Sequence, residues 1–453
     1  MSALVQIVIK PQQQEDLEFI YRLGLQKAKL NPNEVIDWRI RKRSLDARKA
    51  SIKLNVQLEF WKVGEVREVA QAWRAKTVDP EKKVAIIGAG PAGLAMAGAL
   101  RHAKKDFYMI EKSHHIASKW HAHYDRLHLH TVKEYSHLPY MPFPDTYPTY
   151  IHKSDLIAYY ESYAAQWDIK PHYNKEATKI IKHDNKWHVH CGDEILIAKN
   201  VIVATGINRI PKIPRWKGQE NFKGEIIHAN KYKNAIPYQD KKVLIIGMGN
   251  TGAEIALDLA EHNVQVGISI RSKQSIVPRD LFGRPIQKTA KILDTLPFDL
   301  GAHIGNIVRK LYFGNLAKYN IPIHTEPPIK MLRETGKTPT IDLGTVARIK
   351  DGSIHVHADV SHFDKTSVYY TNGDSSVIDA VILATGYLTH LETLIEESKN
   401  CIDQKGEPIK KCNPGNQQGL YFIGFDNYKT GGILGTLRDD SAEITKSIVA
   451  TSE

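Results

Sequence analysis

Two glycine-rich turns of the same form lie far apart in this chain. The first reads Val84-Ala85-Ile86-Ile87-Gly88-Ala89-Gly90-Pro91-Ala92-Gly93, the second Val243-Leu244-Ile245-Ile246-Gly247-Met248-Gly249-Asn250-Thr251-Gly252. In each, an apolar run predicts a buried strand, G-x-G-x-x-G predicts a tight turn, and a helix is predicted over 94–100 or 253–260. The first glycine makes the turn, the second lets the backbone approach a pyrophosphate, and the third lets helix and strand pack closely. The helix N-terminus then faces the phosphates. Any strand–turn–helix unit can mimic one such turn. Two in the same context imply two dinucleotides on one chain, and passing electrons between dinucleotides is flavoprotein chemistry. The expected fold class is α/β, with two Rossmann-like dinucleotide-binding domains.

The strands that follow the two turns end differently. The run 107–110 ends in Glu111, and an acid about 20 residues after the glycines is placed to bond adenosine ribose hydroxyls. The run 264–270 ends in Arg271-Ser272-Lys273. A guanidinium pairs with a 2′-phosphate where a carboxylate would repel it. The second site is therefore expected to take NADPH and the first FAD.

Two further runs are near copies, Val201-Ile202-Val203-Ala204-Thr205-Gly206 and Val381-Ile382-Leu383-Ala384-Thr385-Gly386. Each reads as a buried strand ending in a glycine turn. They predict an NADPH domain inserted into a split FAD domain. The expected boundaries are 79–207 for the first part of the FAD domain, 208–345 for the NADPH domain and 346–453 for the second part. Ahead of them, residues 1–78 read as a small α+β module. Its predicted strands cover 4–9, 35–40 and 52–60, its helix 15–28, and a further helix 65–74 leads to a linker near 77–83.

Bulk properties fit a globular chain of 453 residues, with 42% hydrophobic and 25% charged residues. No start resembles a signal peptide, and no apolar run approaches the roughly 20 residues of a membrane span. The three cysteines, Cys191, Cys401 and Cys412, form no C-x-x-C pair, which speaks against a dithiol centre and for a reducing, cytoplasmic setting. The net charge of +12 reads as surface solvation and attraction of two anionic cofactors. The run Arg39-Ile40-Arg41-Lys42-Arg43 is expected on a strand edge, and no nucleic-acid site is assigned. Residues 301–319 are apolar on one helical side. Core packing, a substrate entrance and peripheral membrane contact all fit that stripe.

Phe222-Lys223-Gly224-Glu225-Ile226-Ile227-His228-Ala229-Asn230-Lys231-Tyr232 fits F-x-G-x-x-x-H-x-x-x-Y/F. This stretch resembles the signature of class B flavin-containing monooxygenases, and it lies between the two fingerprints as in that family. The resemblance is nearest to the YUCCA-type branch, which oxidises indole-3-pyruvate. It extends over Tyr124-Asp125-Arg126-Leu127-His128-Leu129-His130, residues 138–144 and 247–254, Gly336-Lys337-Thr338-Pro339, Ala384-Thr385-Gly386-Tyr387 and residues 419–436. Tyr232-Lys233 stands where Baeyer–Villiger relatives carry Trp-Pro. Residues 1–78 lie outside this resemblance and are similar to leaders of bacterial FAD-dependent oxidoreductases.

The resemblance implies hydride transfer from NADPH to FAD, a C4a-hydroperoxyflavin, and transfer of one oxygen atom to a small substrate. That substrate is a 2-oxo acid such as indole-3-pyruvate, or an amine or sulfide. It implies that Gly88, Gly90, Pro91, Ala92, Gly93, Glu111, Lys112, Ala204, Thr205 and Gly206 hold FAD. Trp120 and His130 would lie near the flavin ring, with Gly424, Leu434 and the following Gly435-Thr436 at the ribityl chain. Gly247, Gly249, Asn250, Thr251, Gly252, Arg271 and Ser272 would serve NADPH, and Thr385 and Gly386 are expected to touch a cofactor. Asn250 and His130 are the catalytic candidates, although a polar residue opening a helix also explains Asn250. In the signature, Phe222, Gly224, His228 and Tyr232 are marked, and His228 reads as a hydrogen-bonding hinge tie more than as an acid–base group. Pro278-Arg279-Asp280 could touch cofactor phosphate or form a local ion pair. The histidines 114, 115, 121, 123, 128, 130 and 137 lack zinc-enzyme spacing, and no metal is assigned. The partners implied are a small substrate and O2. Two competing functions remain: an NADPH oxidase or flavin reductase that releases hydrogen peroxide, and a flavin-binding regulatory or scaffold protein.

Overall fold

The computed structural model describes residues 3–13, 16–46, 53–62, 84–293, 300–429 and 431–450. The expected helix 65–74 and linker 77–83 lie outside them. The chain divides into two units, residues 1–74 and 75–453.

In the first unit, strands Ala3–Ile9, Lys53–Lys62 and Val35–Asp46 form an antiparallel sheet with Lys53–Lys62 at the centre. Helix Leu17–Ala28 starts where the Asp16 carboxylate accepts the Phe19 N–H, and it ends at Lys29 in the left-handed conformation. Ile20 and Leu25 bury against Ile7, Ile9, Leu54, Val56, Leu58 and Phe60. Gly24 lets helix and sheet meet, since a Cβ there would lie 2.4 Å from Leu58 Cδ1. The basic run 39–43 falls on the edge strand.

The second unit contains the same design twice. Its first parallel sheet runs Leu420–Phe422, Asn200–Val203, Val84–Ile87, Tyr108–Ile110. Its second runs Glu225–His228, Ala380–Leu383, Lys242–Ile246, Gln265–Ser269, Ile354–His357. The strands Val84–Ile87, Asn200–Val203 and Ala380–Leu383 are buried at every position, as strands covered on both faces must be. In each copy the fingerprint strand leads to a buried helix, Pro91–His102 or Asn250–Glu261. In each copy a three-stranded antiparallel meander precedes the strand that ends in Ala-Thr-Gly.

This arrangement corrects the expected boundary at 346. Ile354–His357 and Ala380–Leu383 hydrogen-bond into the second sheet, with Val381 opposite Leu244 and Ile354 opposite Val266. The two near-copy strands are thus equivalent members of two sheets, and they do not flank an insertion. The chain re-enters the first sheet only at Leu420–Phe422. Helix Gly432–Ala450 then packs against Pro91–His102.

The glycines explain why both turns are so constrained. Gly88 and Gly247 sit at φ 107 and 108, and a Cβ on either would lie 2.7 or 2.6 Å from the carbonyl oxygen of Ala204 or Ala384. On Gly93 or Gly252 a Cβ would lie 1.9 or 2.0 Å from the carbonyl oxygen of Gly88 or Gly247. Nothing lies within 4 Å of a Cβ at Gly90 or Gly249, so each turn is tight behind and open in front.

The apolar stripe over 301–319 is core only in part: Phe313 and Leu316 join the second domain's hydrophobic cluster and Ala302 is buried. In helix Leu300–Phe313 the side chains of Leu300, Ile307 and Leu311 are exposed, Leu311 at 80%. No helix among the described residues is long and apolar enough to cross a membrane.

Gly252→Ala should keep its FAD and lose NADPH affinity at least tenfold, because the clash is confined to the second turn. Flavin absorbance and an NADP⁺ titration measure the two effects, and unchanged NADP⁺ affinity would contradict this account of the turn.

Candidate active site

A cleft of about 320 Å³ opens at the N-terminus of helix Pro91–His102. It is lined by Gly88, Gly90, Pro91 and Ala92 from the turn, Glu111 and Lys112 beyond the second strand, Trp120, and Ala204, Thr205 and Gly206. Gly424 and Leu434 close it from the end of the chain. Gly93 lies behind the turn, where its missing Cβ admits the Gly88 carbonyl. Sequence reasoning missed Arg209, Asn230 and Tyr387, which also line the cleft. The last two were legible: Asn230 stands inside the signature, and Tyr387 follows the second Ala-Thr-Gly.

Glu111 is buried. Its Oε2 accepts the Ala89 N–H at 2.8 Å, and its Oε1 accepts the Ser113 N–H and hydroxyl at 2.9 and 2.8 Å. The carboxylate therefore braces the glycine turn, and its remaining lone pairs are available to ribose hydroxyls. Half-buried Trp120 packs against the cores of both dinucleotide domains. His123 lines the same cleft. Burial, then the charges of Lys153, Lys119 and Lys233, pull its imidazole down to about 4, so it is neutral at pH 7. The cleft's open glycine face, helix N-terminus and cationic rim of Lys112, Lys119, Lys175 and Arg209 fit a dinucleotide pyrophosphate.

At the second turn, Gly249 is open in the same way and Gly252 tight. Thr251 lies in the first turn of helix Asn250–Glu261. Arg271, Ser272 and Lys273 are exposed beyond strand Gln265–Ser269. Lys337 donates to the Lys273 carbonyl at 3.3 Å. Among the described residues, none of these three cations has a carboxylate partner. This is a fitting environment for a phosphate.

The two catalytic candidates fall elsewhere. Neither His130 nor Asn250 lines the first cleft. His130 Nε2 lies 2.8 Å from Glu254 Oε2, and the Tyr124 hydroxyl donates to the same oxygen at 2.7 Å. Glu254 is buried in helix Asn250–Glu261, and a buried carboxylate captures whatever donors reach it. Burial and Glu254 together raise the Tyr124 phenol well above its ordinary range. One turn on, Asp258 accepts the Tyr232 hydroxyl at 2.6 Å and lies 3.4 Å from Arg126. Arg126 also meets Glu261 at 2.6 Å. The 124–130 segment is thus pinned to the second fingerprint helix. Sequence reasoning missed this network. Its signal was three acids, Glu254, Asp258 and Glu261, spaced four and three residues apart along one helix. Asn250 is occupied as well: its Oδ1 accepts the Ile341 N–H at 2.7 Å and its Nδ2 donates to the Pro339 carbonyl at 3.3 Å. It ties the segment 339–341 to the turn.

The signature residues also act as ties. Phe222 packs on Phe363, with ring centroids 5.3 Å apart. Gly224 lets the backbone pass Asp379, where a Cβ would lie 2.5 Å from the carbonyl oxygen. Buried His228 accepts the Asn230 N–H on Nδ1, which leaves Nε2 to donate to the Gly386 carbonyl at 3.1 Å. Gly386 and Thr385 are further joined to Lys212. Arg279 pairs with Asp280 at 2.9 Å, and Tyr150 donates to Asp280 at 2.7 Å. That is the local ion pair. His115 stacks on His121, and the His114 ring lies tilted against His115. Among the described residues, no three His, Cys, Asp or Glu stand as a metal-holding group.

With this geometry in hand, the comparisons are specific. Residues 85–280 match the family model described as pyridine nucleotide-disulphide oxidoreductase, and residues 1–61 match a domain of unknown function, DUF8436. The probable indole-3-pyruvate monooxygenase YUCCA9 of Arabidopsis thaliana is 37% identical over 352 residues, 75% of this chain and 83% of that protein. This chain belongs to the YUCCA-type flavin monooxygenase family. The rice indole-3-pyruvate monooxygenase YUCCA1 is 34% identical over 80% of this chain and 90% of its own. The fold is shared with a flavin-containing monooxygenase from Stenotrophomonas maltophilia, with a TM-score of 0.60 and 17% identity over 82% of this chain and 99% of that one. It is shared too with cyclohexanone monooxygenase from Rhodococcus sp. Phi1 bound to NADP⁺, with a TM-score of 0.64 and 15% identity over 83% and 85%. As a family member, the chain is an FAD- and NADPH-dependent monooxygenase.

Two outcomes follow from the buried groups. Tyr124→Phe leaves Glu254 one donor short and should cost about 1–2 kcal/mol in urea unfolding. His123 gives a pH effect of definite sign. Its folded pKa lies below the unfolded value of 6.5, so its contribution is complete above pH 6.5 and is lost as pH falls toward 4, by about 3 kcal/mol in all. In His123→Phe, stability should vary less across that window. An identical pH profile would remove His123 from the account.

Proposed function

We propose that this chain oxidises a small 2-oxo acid of the indole-3-pyruvate type, consuming one NADPH and one O2 and releasing the acid one carbon shorter, CO2, water and NADP⁺. The observation that carries the substrate class is the likeness to indole-3-pyruvate monooxygenases across both dinucleotide domains. When bound, FAD takes hydride from NADPH and activates O2 for transfer of one oxygen atom.

The chain's own residues supply position and dryness. In this reading the turn at Gly88–Gly93, braced by Glu111, holds the FAD pyrophosphate and adenosine. Trp120, Gly424 and Leu434 border the ring. Gly247–Gly252 holds the NADPH pyrophosphate, and Arg271, Lys273 and Lys337 face its 2′-phosphate. Asn250 and His130 position segments and move no proton. His228, Thr385 and Gly386 tie the strand Glu225–His228 to the turn that carries Tyr387 toward the flavin cleft. In place of the expected domain boundaries, the first dinucleotide domain takes residues 84–206 and 387–450, and the second takes 207–386. Disulfide reduction fits poorly. None of the three cysteines lines the cleft, and burial raises the thiols of Cys191 and Cys401 to about 11, far from the thiolate such chemistry requires.

The direct test is turnover of indole-3-pyruvate under ¹⁸O2. One labelled oxygen in the carboxylate product, with NADPH and product in equal amounts, is expected. Stoichiometric peroxide with no labelled product would instead establish an NADPH oxidase. Arg271→Ala should raise the KM for NADPH about tenfold or more and leave that for NADH nearly unchanged. Equal effects on both would refute the 2′-phosphate assignment.

A further inference from the structure

A groove of about 540 Å³ lies beside helix Leu300–Phe313, with apolar Ile276, Phe313 and Ile323 as well as Arg309, Lys310 and His324 in its lining. It shares no lining residue with the flavin cleft. Arg309 is 5% exposed. Its Nη2 donates to Asn306 Oδ1 at 2.7 Å and to the His324 carbonyl at 3.3 Å. Its Nη1 is buried and meets no acceptor. Among the described residues no carboxylate partners the guanidinium, and burial lowers its pKa. The surrounding charge has the same sign. The His324 imidazole is pulled down by burial and then by Lys337, Lys273 and Arg309, and Lys337 Nζ lies 3.5 Å from His324 Nε2.

A buried cation without a counter-charge is strongly unfavourable, and one with an unmet donor more so. An anion at Arg309 would correct both. The free donor is a single Nη1, which suits one carboxylate oxygen. The lining also holds Ile276, Phe313, Leu316 and Ile323, which suit a hydrocarbon or aryl body. We propose that this groove is a second ligand site, specific for a small organic carboxylate with an apolar body, its head toward Arg309 and its body against Phe313 and Ile276. The site stands apart from the reaction proposed above and does not depend on it. It is joined to the cofactor loop through the backbone. Gln274 N–H donates to the Pro322 carbonyl at 2.7 Å and His324 N–H to the Gln274 carbonyl at 2.9 Å, directly beyond Arg271–Ser272–Lys273.

The test uses FAD-loaded enzyme saturated with NADP⁺, so that the cofactor cations are already occupied. Thermal unfolding and calorimetry are followed with phenylacetate, neutral phenylacetamide and inorganic phosphate. Phenylacetate should bind and raise Tm by a few degrees, phenylacetamide should not, and phosphate should bind at least fivefold more weakly. Arg309→Met should abolish the phenylacetate shift while its own Tm stays equal or rises, since an uncompensated charge has gone. Arg309→Lys, which keeps the charge and removes Nη1, should weaken phenylacetate at least fivefold. The proposal is overturned if wild-type enzyme shows no shift, or if the shift survives in the variants. It is overturned equally if NADP⁺ abolishes it, which would place the anion on the cofactor loop, or if phosphate binds as tightly as phenylacetate.

Discussion

The structure rests on a backbone contact made twice: a glycine packed so closely against a neighbouring strand's carbonyl that no side chain fits between them. Gly88 lies against Ala204 and Gly247 against Ala384. Each contact sets the distance between the fingerprint strand and the strand that ends in Ala-Thr-Gly, and so the width of the gap in front of the helix N-terminus. The third glycine of each turn fixes the helix, and the second is left open. Everything chemical in the chain is aligned by these two positions.

The second level of organisation is the join between the domains, and here polar groups dominate. Helix Asn250–Glu261 presents Glu254, Asp258 and Glu261 to a segment carrying Tyr124, Arg126 and His130. Buried hydrogen-bonded carboxylates are directional, so they define one docking geometry where apolar packing would tolerate many. That matters in an enzyme whose two cofactors must meet. The signature residues serve the same end. His228 and Tyr232 hold the connecting strand and its exit loop against Gly386 and Asp258.

What the sequence revealed follows from the range of the interactions involved. The turns, their strands and the acid-versus-arginine difference are local, with period and spacing that a reader can see. The lining of the first cleft was therefore largely legible, down to Glu111, Trp120 and Gly424. The partners of His130 and Asn250, Glu254 and the backbone at 339–341, were not legible because they lie far along the chain, and nothing local reveals who captures a side chain. The boundary at 346 failed for a related reason. Ile354–His357 and Ala380–Leu383 look like any buried strands, and only hydrogen-bond register assigns them to a sheet. The stripe at 301–319 had the pattern of a core helix, yet of its apolar side chains only Ala302, Phe313 and Leu316 are buried while Ile307 and Leu311 are exposed, because amphipathicity states that a face is apolar and not what covers it.

The late return of the chain to its first sheet has a consequence for synthesis. Asn200–Val203 has its outer neighbour, Leu420–Phe422, more than two hundred residues downstream. As the polypeptide leaves the ribosome, the second dinucleotide domain has all its strands in hand well before the first has its last one. Until then, Asn200–Val203 is a bare edge, apolar but for Asn200. Such an edge invites pairing with other nascent chains. The first fingerprint emerges early, but its domain is completed last, and the final helix Gly432–Ala450 acts as the clasp that shuts it.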